Sequence, residues 1–78
     1  MRTFEEIKAD IDRVAEENNA ERMFELADEM EAHATDEAQT FTYKARGYAH
    51  RLLRNASEAI RNYELCRELQ QASGDLAG

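Results

Sequence analysis

Two histidines, His33 and His50, and a single cysteine, Cys66, are the side chains in this sequence that could ligate a transition metal or pair as nucleophile and base. Their spacing matches no H-E-x-x-H or C-x-x-C pattern, so the sequence predicts no metal and no cofactor. Cys66 falls on an apolar helical stripe, where a thiol behaves as a small hydrophobe with a high pKa. The carboxylate pairs Glu5-Glu6, Glu16-Glu17 and Asp36-Glu37 could in principle supply a general acid and base. Catalytic carboxylates need burial or close pairing to shift their pKa values, and these lie on faces expected to be solvated. There is no G-x-G-x-x-G, no G-x-x-x-x-G-K and no G-x-S-x-G, so the expectation is a protein that is not an enzyme. Recognition chemistry remains. Lys44, Tyr48 and Arg51 share one face of a helix, with Lys8 and Asp12 at the matching places of an earlier one. Cations beside aromatic rings can hold a peptide through charge-assisted hydrogen bonds and stacking.

The elements that position these residues follow from composition and periodicity. The chain has 78 residues, no proline, and a glycine at position 47 as the only one before Gly74. That is the composition of an all-α domain, small enough to bury only a modest core. Phe4, Ile7, Ile11 and Val14 recur every three or four residues and predict a first helix over 3–17. Asn18-Asn19 breaks it, and Asn19 caps a second helix bearing Met23, Phe24, Ala27 and Met30, ending near Ala34. Thr35 or Asp36 caps a third helix with two adjacent stripes, Phe41-Ala45-Tyr48-Leu52 and Tyr43-Gly47-His50-Leu53. After Arg54-Asn55, the residues Ala59, Ile60, Tyr63, Cys66 and Leu69 carry a fourth helix to about Ser73, with Gly74 as its stop. Such short connections force neighbouring helices to be antiparallel, giving two consecutive helical hairpins.

The hairpins are related. Sliding the sequence on itself so that Lys8 falls on Lys44 also aligns Ala9 with Ala45, Asn19 with Asn55, Ala20 with Ala56, Phe24 with Ile60 and Met30 with Cys66. Breaks and apolar stripes register together, as in a diverged internal repeat. The second copy resembles a tetratricopeptide repeat, whose pattern is W-x-x-L-G-x-x-Y, then A-x-x-x-F, then a late proline. Tyr43 stands at the first aromatic, Gly47 at the glycine, His50 at the second aromatic, Ala59 at the alanine and Tyr63 at the phenylalanine, with Cys66 and Leu69 at the small and apolar places that follow. Arg46 takes the place of the usual leucine, Arg54 of the turn glycine and Ala56 of an aromatic, and the late proline is missing.

The resemblance covers residues 40–73, with 4–39 a degenerate first repeat and 74–78 a tail or the start of a next repeat. It implies a right-handed α-solenoid fragment, a scaffold that binds a protein or peptide partner. The ending E-L-Q-Q-A-S-G-D-L-A-G is similar to junctions in bacterial regulators, which would make the chain the amino-terminal piece of a longer array. In the family, the first helix of each hairpin lines a groove, which is the role the resemblance gives to Lys8, Asp12, Lys44, Tyr48 and Arg51. The alternative is that Phe41, Tyr48 and Leu52 pack on the first hairpin. Some members clamp a chaperone's carboxylate tail; Lys8 matches the clamp lysine, but Asp12 stands where asparagine is needed. Gly47 is expected to admit the partner helix near Ala59 and Tyr63.

Acidic residues outnumber Lys plus Arg by 17 to 10, for a net charge of −7, which disfavours nucleic acid and anionic membranes as partners. No apolar run reaches the length of a membrane span, and the start lacks signal-peptide character, so a cytoplasmic location is expected. The competing architecture is a closed four-helix bundle that homo-oligomerises, and a homodimer through an exposed terminal helix is a further expectation. The two differ in packing: a repeat array keeps the first helix remote from the fourth, whereas a bundle brings them together.

Overall fold

The computed structural model of the chain describes residues 2–72, and the expected stop at Ser73-Gly74 and the tail lie outside them. Four helices follow one another: α1 (Phe4–Glu17), α2 (Ala20–Glu31), α3 (Asp36–Leu52) and α4 (Ala56–Ala72). The fold is all-α. Each of the first three helices starts where a short polar side chain takes up an orphan backbone N–H. The hydroxyl of Thr3 accepts from the Glu6 amide at 3.2 Å while the Glu6 carboxylate accepts from the Thr3 amide at 3.0 Å, a reciprocal cap. The Asn19 side chain accepts from the Arg22 amide, and Thr35, rather than Asp36, accepts from the Ala38 amide. Each turn contains one residue in the left-handed region: Asn18 (φ 55°), Ala34 (φ 55°) and Arg54 (φ 62°).

Helix α3 is the centre of the molecule. It packs on α1, α2 and α4, whereas α1 and α4 do not meet among the described residues, and neither do α2 and α4. The closed bundle is therefore absent. The large apolar side chains collect in the first hairpin, where Ile7, Ile11 and Val14 of α1 and Met23, Leu26, Ala27 and Met30 of α2 are buried. Fully burying residues of this kind stabilises by roughly 1.5–3 kcal/mol each.

The stripes expected on α3 and α4 are corrected in part: Ala45, Gly47, Ala59 and Cys66 are buried, but the large residues are not. On α3 the buried line is Ala38, Thr42, Ala45 and Ala49, with Gly47 beside it, while Phe41, Tyr43, Tyr48 and His50 are half-buried at its edges and Leu53 is 61% exposed. A helix packed on three neighbours needs small residues where backbones approach, and aromatics then fill the flanking gaps. The Thr42 hydroxyl is satisfied inside by donating to the Ala38 carbonyl at 2.9 Å. On α4 the buried residues are Ala59, Asn62 and Cys66, and Ile60 is 56% exposed. The Asn62 amide donates to the Glu58 carbonyl, so it too enters the interface with its polar group engaged.

Of the two contacts expected at Gly47, the one with Tyr63 is present. A Cβ built there would lie 3.0, 3.1 and 3.2 Å from Cε1, Cδ1 and Cζ of Tyr63, so the tyrosine ring lies where a side chain would otherwise stand.

Arginine joins elements the apolar core does not. Arg2 bridges α1 and α2 by pairing with Asp10 and, through two nitrogens, with Glu29, while its carbonyl lies 2.9 Å from the His33 ring. His33 is thus half-buried and tied to the amino-terminal segment. Arg46 reaches from α3 to Glu31 and Asp28 of α2 with three hydrogen bonds of 3.0–3.2 Å. An arginine at that position holds the two hairpins together, which is the work a leucine would do by packing.

Candidate functional site

Helices α1 and α3 bring Lys8 and Lys44 to one ring. The Lys8 ammonium lies 5.3 Å from the Phe41 ring centroid and the Lys44 ammonium 5.5 Å, within cation–π range. Phe41 also packs on Phe4, edge to face at 5.5 Å and 79°. Neither lysine pairs with a carboxylate among the described residues, although the chain is strongly acidic. Two cations beside an apolar ring can hold a carboxylate and an apolar or aromatic group together.

The five residues expected to form one groove are not gathered in one place. Lys8 and Lys44 converge on Phe41. Tyr48 is turned into the seam between hairpins, where it packs on the core and its hydroxyl donates to the Ala15 carbonyl at 2.9 Å. Asp12 is exposed, with no ion pair among the described residues. Arg51 is exposed and lines a separate cleft of about 370 Å³ with Arg54, Ala56, Ala59 and Ile60, at the turn between α3 and α4.

The motif residues act as packing. His50 meets Phe24 of α2 edge to face, with ring centroids 5.0 Å apart, and its Nδ1 is buried without a hydrogen-bond partner. Tyr43 is half-buried, Ala59 is buried and Tyr63 covers Gly47. The Cys66 thiol is pushed up in pKa by burial, with the positive charge of Lys44 pulling weakly the other way. Burial thus keeps this thiol protonated and unreactive. Among the described residues no three His, Cys, Asp or Glu side chains converge as a metal site would require, and no helix is long and apolar enough to cross a membrane.

Sequence periodicity had no access to Phe41 as the shared platform, because the pairing joins residues on different helices. The one signal was that Lys8 and Lys44 occupy the same place in the two hairpins. No protein-family model, curated protein or solved structure matches the chain.

Proposed function

We propose that the chain is a non-catalytic interaction module, built from two tetratricopeptide-like hairpins, that binds an acidic peptide or protein segment at the Lys8–Phe41–Lys44 cluster. The observation that carries it is the pairing of two unneutralised lysines around one aromatic ring in a chain of net charge −7. In such a chain a lysine has carboxylates on offer, and leaving two of them without any is what a site for an incoming anion requires. The separation of α1 from α4 and the contact of Gly47 with Tyr63 support the repeat reading over a closed bundle.

A phage-displayed peptide library selected on the folded chain tests this. The selected peptides are expected to be rich in Asp and Glu, to weaken as salt rises, and to lose at least about tenfold in affinity, or ~1.4 kcal/mol, against Lys8→Glu with Lys44→Glu. Neither ammonium group is ion-paired among the described residues, so helicity should be retained. Binders indifferent to this double variant would refute the site.

A further inference from the structure

The cleft at the start of α4 has a counterpart in the first hairpin, and the counterpart is filled. Repeat alignment places Arg51, Arg54, Ala56, Ala59 and Ile60 on Ala15, Asn18, Ala20, Met23 and Phe24. In the first hairpin that surface is covered by α3: Tyr48 donates its hydroxyl to the Ala15 carbonyl, His50 packs on Phe24, and Met23 is buried. In the second hairpin no helix among the described residues covers it, and the equivalent of Phe24, Ile60, is 56% exposed. Ile60 and Leu53 are the two large hydrophobic side chains that stand exposed among the described residues, and both belong to this end of the molecule.

The surface has also become less acidic, although Glu58 stands where α2 has Arg22. Arg61 and Arg67 stand where α2 has Glu25 and Glu31, and Arg51 and Arg54 replace two uncharged residues, while Glu64 keeps the sign of Asp28. Arg2, Arg13, Arg22 and Arg46 each pair with a carboxylate; Arg51, Arg54, Arg61 and Arg67 pair with none among the described residues. The first hairpin thus takes a helix that brings an arginine, Arg46, to carboxylates. The second presents arginines to whatever covers it.

We propose that the α3–α4 cleft is a docking site for an acidic amphipathic helix of a partner protein, one that seats an aromatic or aliphatic side chain over Ile60 and Ala59 as Tyr48 and His50 seat over the first hairpin, with carboxylates toward Arg51, Arg54, Arg61 and Arg67. A second copy of this chain fits poorly. Stacked head to tail, its α1 would put Glu6 and Arg13 at the places of the buried Thr42 and Ala49, and Asp12 at that of Tyr48. Paired face to face, the two arginine clusters would oppose each other. The surface is independent of the lysine pair.

The probe is a fluorescein-labelled peptide with the sequence of residues 35–53, carrying Lys44→Glu, Arg46→Glu and Arg51→Glu, titrated by anisotropy into the unlabelled full chain. Saturable binding is expected at micromolar concentration, weakened at least about tenfold by Ile60→Asp in the protein and likewise by Arg51→Glu with Arg54→Glu. In protein that already carries Lys8→Glu with Lys44→Glu, which removes the other site for an acidic peptide, the probe should still saturate and still weaken with Ile60→Asp, and the unmodified peptide should bind at least about tenfold more weakly. Ile60 is exposed, so Ile60→Asp should keep the wild-type circular dichroism. The proposal is overturned by absence of saturable binding, by binding that ignores Ile60→Asp, by equal affinity for the unmodified peptide, or by loss in the lysine variant. Sedimentation showing a wild-type dimer that Ile60→Asp dissociates would equally overturn it, since the occupant would then be a second copy.

Discussion

At the scale of single residues, Gly47 decides how closely α3 and α4 approach. An interior glycine lowers helix stability by about 1 kcal/mol relative to alanine, and here the cost is offset by the ring of Tyr63 lying against the bare Cα. Tyr63 is half-buried, so its ring has an open side toward which to move a few tenths of an ångström. Gly47→Ala should then combine a propensity gain with a small repacking loss, and its urea midpoint is expected to give a stability within about 0.5 kcal/mol of wild type. Gly47→Leu has no such room and should lose about 1–3 kcal/mol. A Gly47→Leu chain as stable as Gly47→Ala would show that the close approach does not hold the hairpin.

At the scale of elements, the turn between α2 and α3 places a residue poorly suited to its backbone. Ala34 adopts φ 55°, a region that disfavours an L side chain by roughly 1–2 kcal/mol. Ala34→Gly should relieve that strain at some entropic cost in the unfolded chain, and we expect a net gain of about 0.5–1 kcal/mol. In a domain of this size such a gain raises the melting temperature by about 4 °C in differential scanning calorimetry, and no rise would mean that the turn is not strained. The same elements show what the sequence made legible. On α1 and α2 the buried Ile7, Ile11, Val14, Met23, Ala27 and Met30 were readable from spacing alone, whereas Leu26, buried on α2 between two neighbours, was not. Helix α3 faces three neighbours, so its core line is alanine and threonine, and of these only Ala45 was marked by spacing. The lysine cluster was half legible: the equivalent positions of Lys8 and Lys44 could be seen, but their meeting at Phe41 depends on how the hairpins dock. Arg51 and Tyr48 share a helix with Lys44 yet serve a cleft and a seam, a division that only the packing angle sets.

At the scale of the whole molecule, charge links stability to pH. The Arg2 guanidinium holds Asp10 and Glu29 below their ordinary values of 3.8 and 4.5, chiefly through its hydrogen bonds. Glu6 is likewise lowered, first by its hydrogen bond to the Thr3 amide. Depressed carboxylate pKa values contribute stability that is present above the unfolded values and is lost as pH falls through the folded ones. Urea unfolding should therefore show wild-type stability decreasing as pH falls below about 4.5. Arg2→Gln should be less stable than wild type at neutral pH and should converge with it as pH falls through the lowered values of Asp10 and Glu29 and the paired carboxylates become protonated. A gap between the two proteins that stays constant across this range would exclude the ion-pair origin. The arrangement of helices carries a different consequence. Lys44 and Arg51 stand two turns apart on α3, one beside each proposed docking surface, and that helix is the element every other one leans on. Any influence of one occupant on the other must pass through a displacement of this shared wall, because α1 and α4 offer no direct route. A rigid α3 would make the molecule an adaptor whose two partners bind independently, and a shifting one would make it a relay between them.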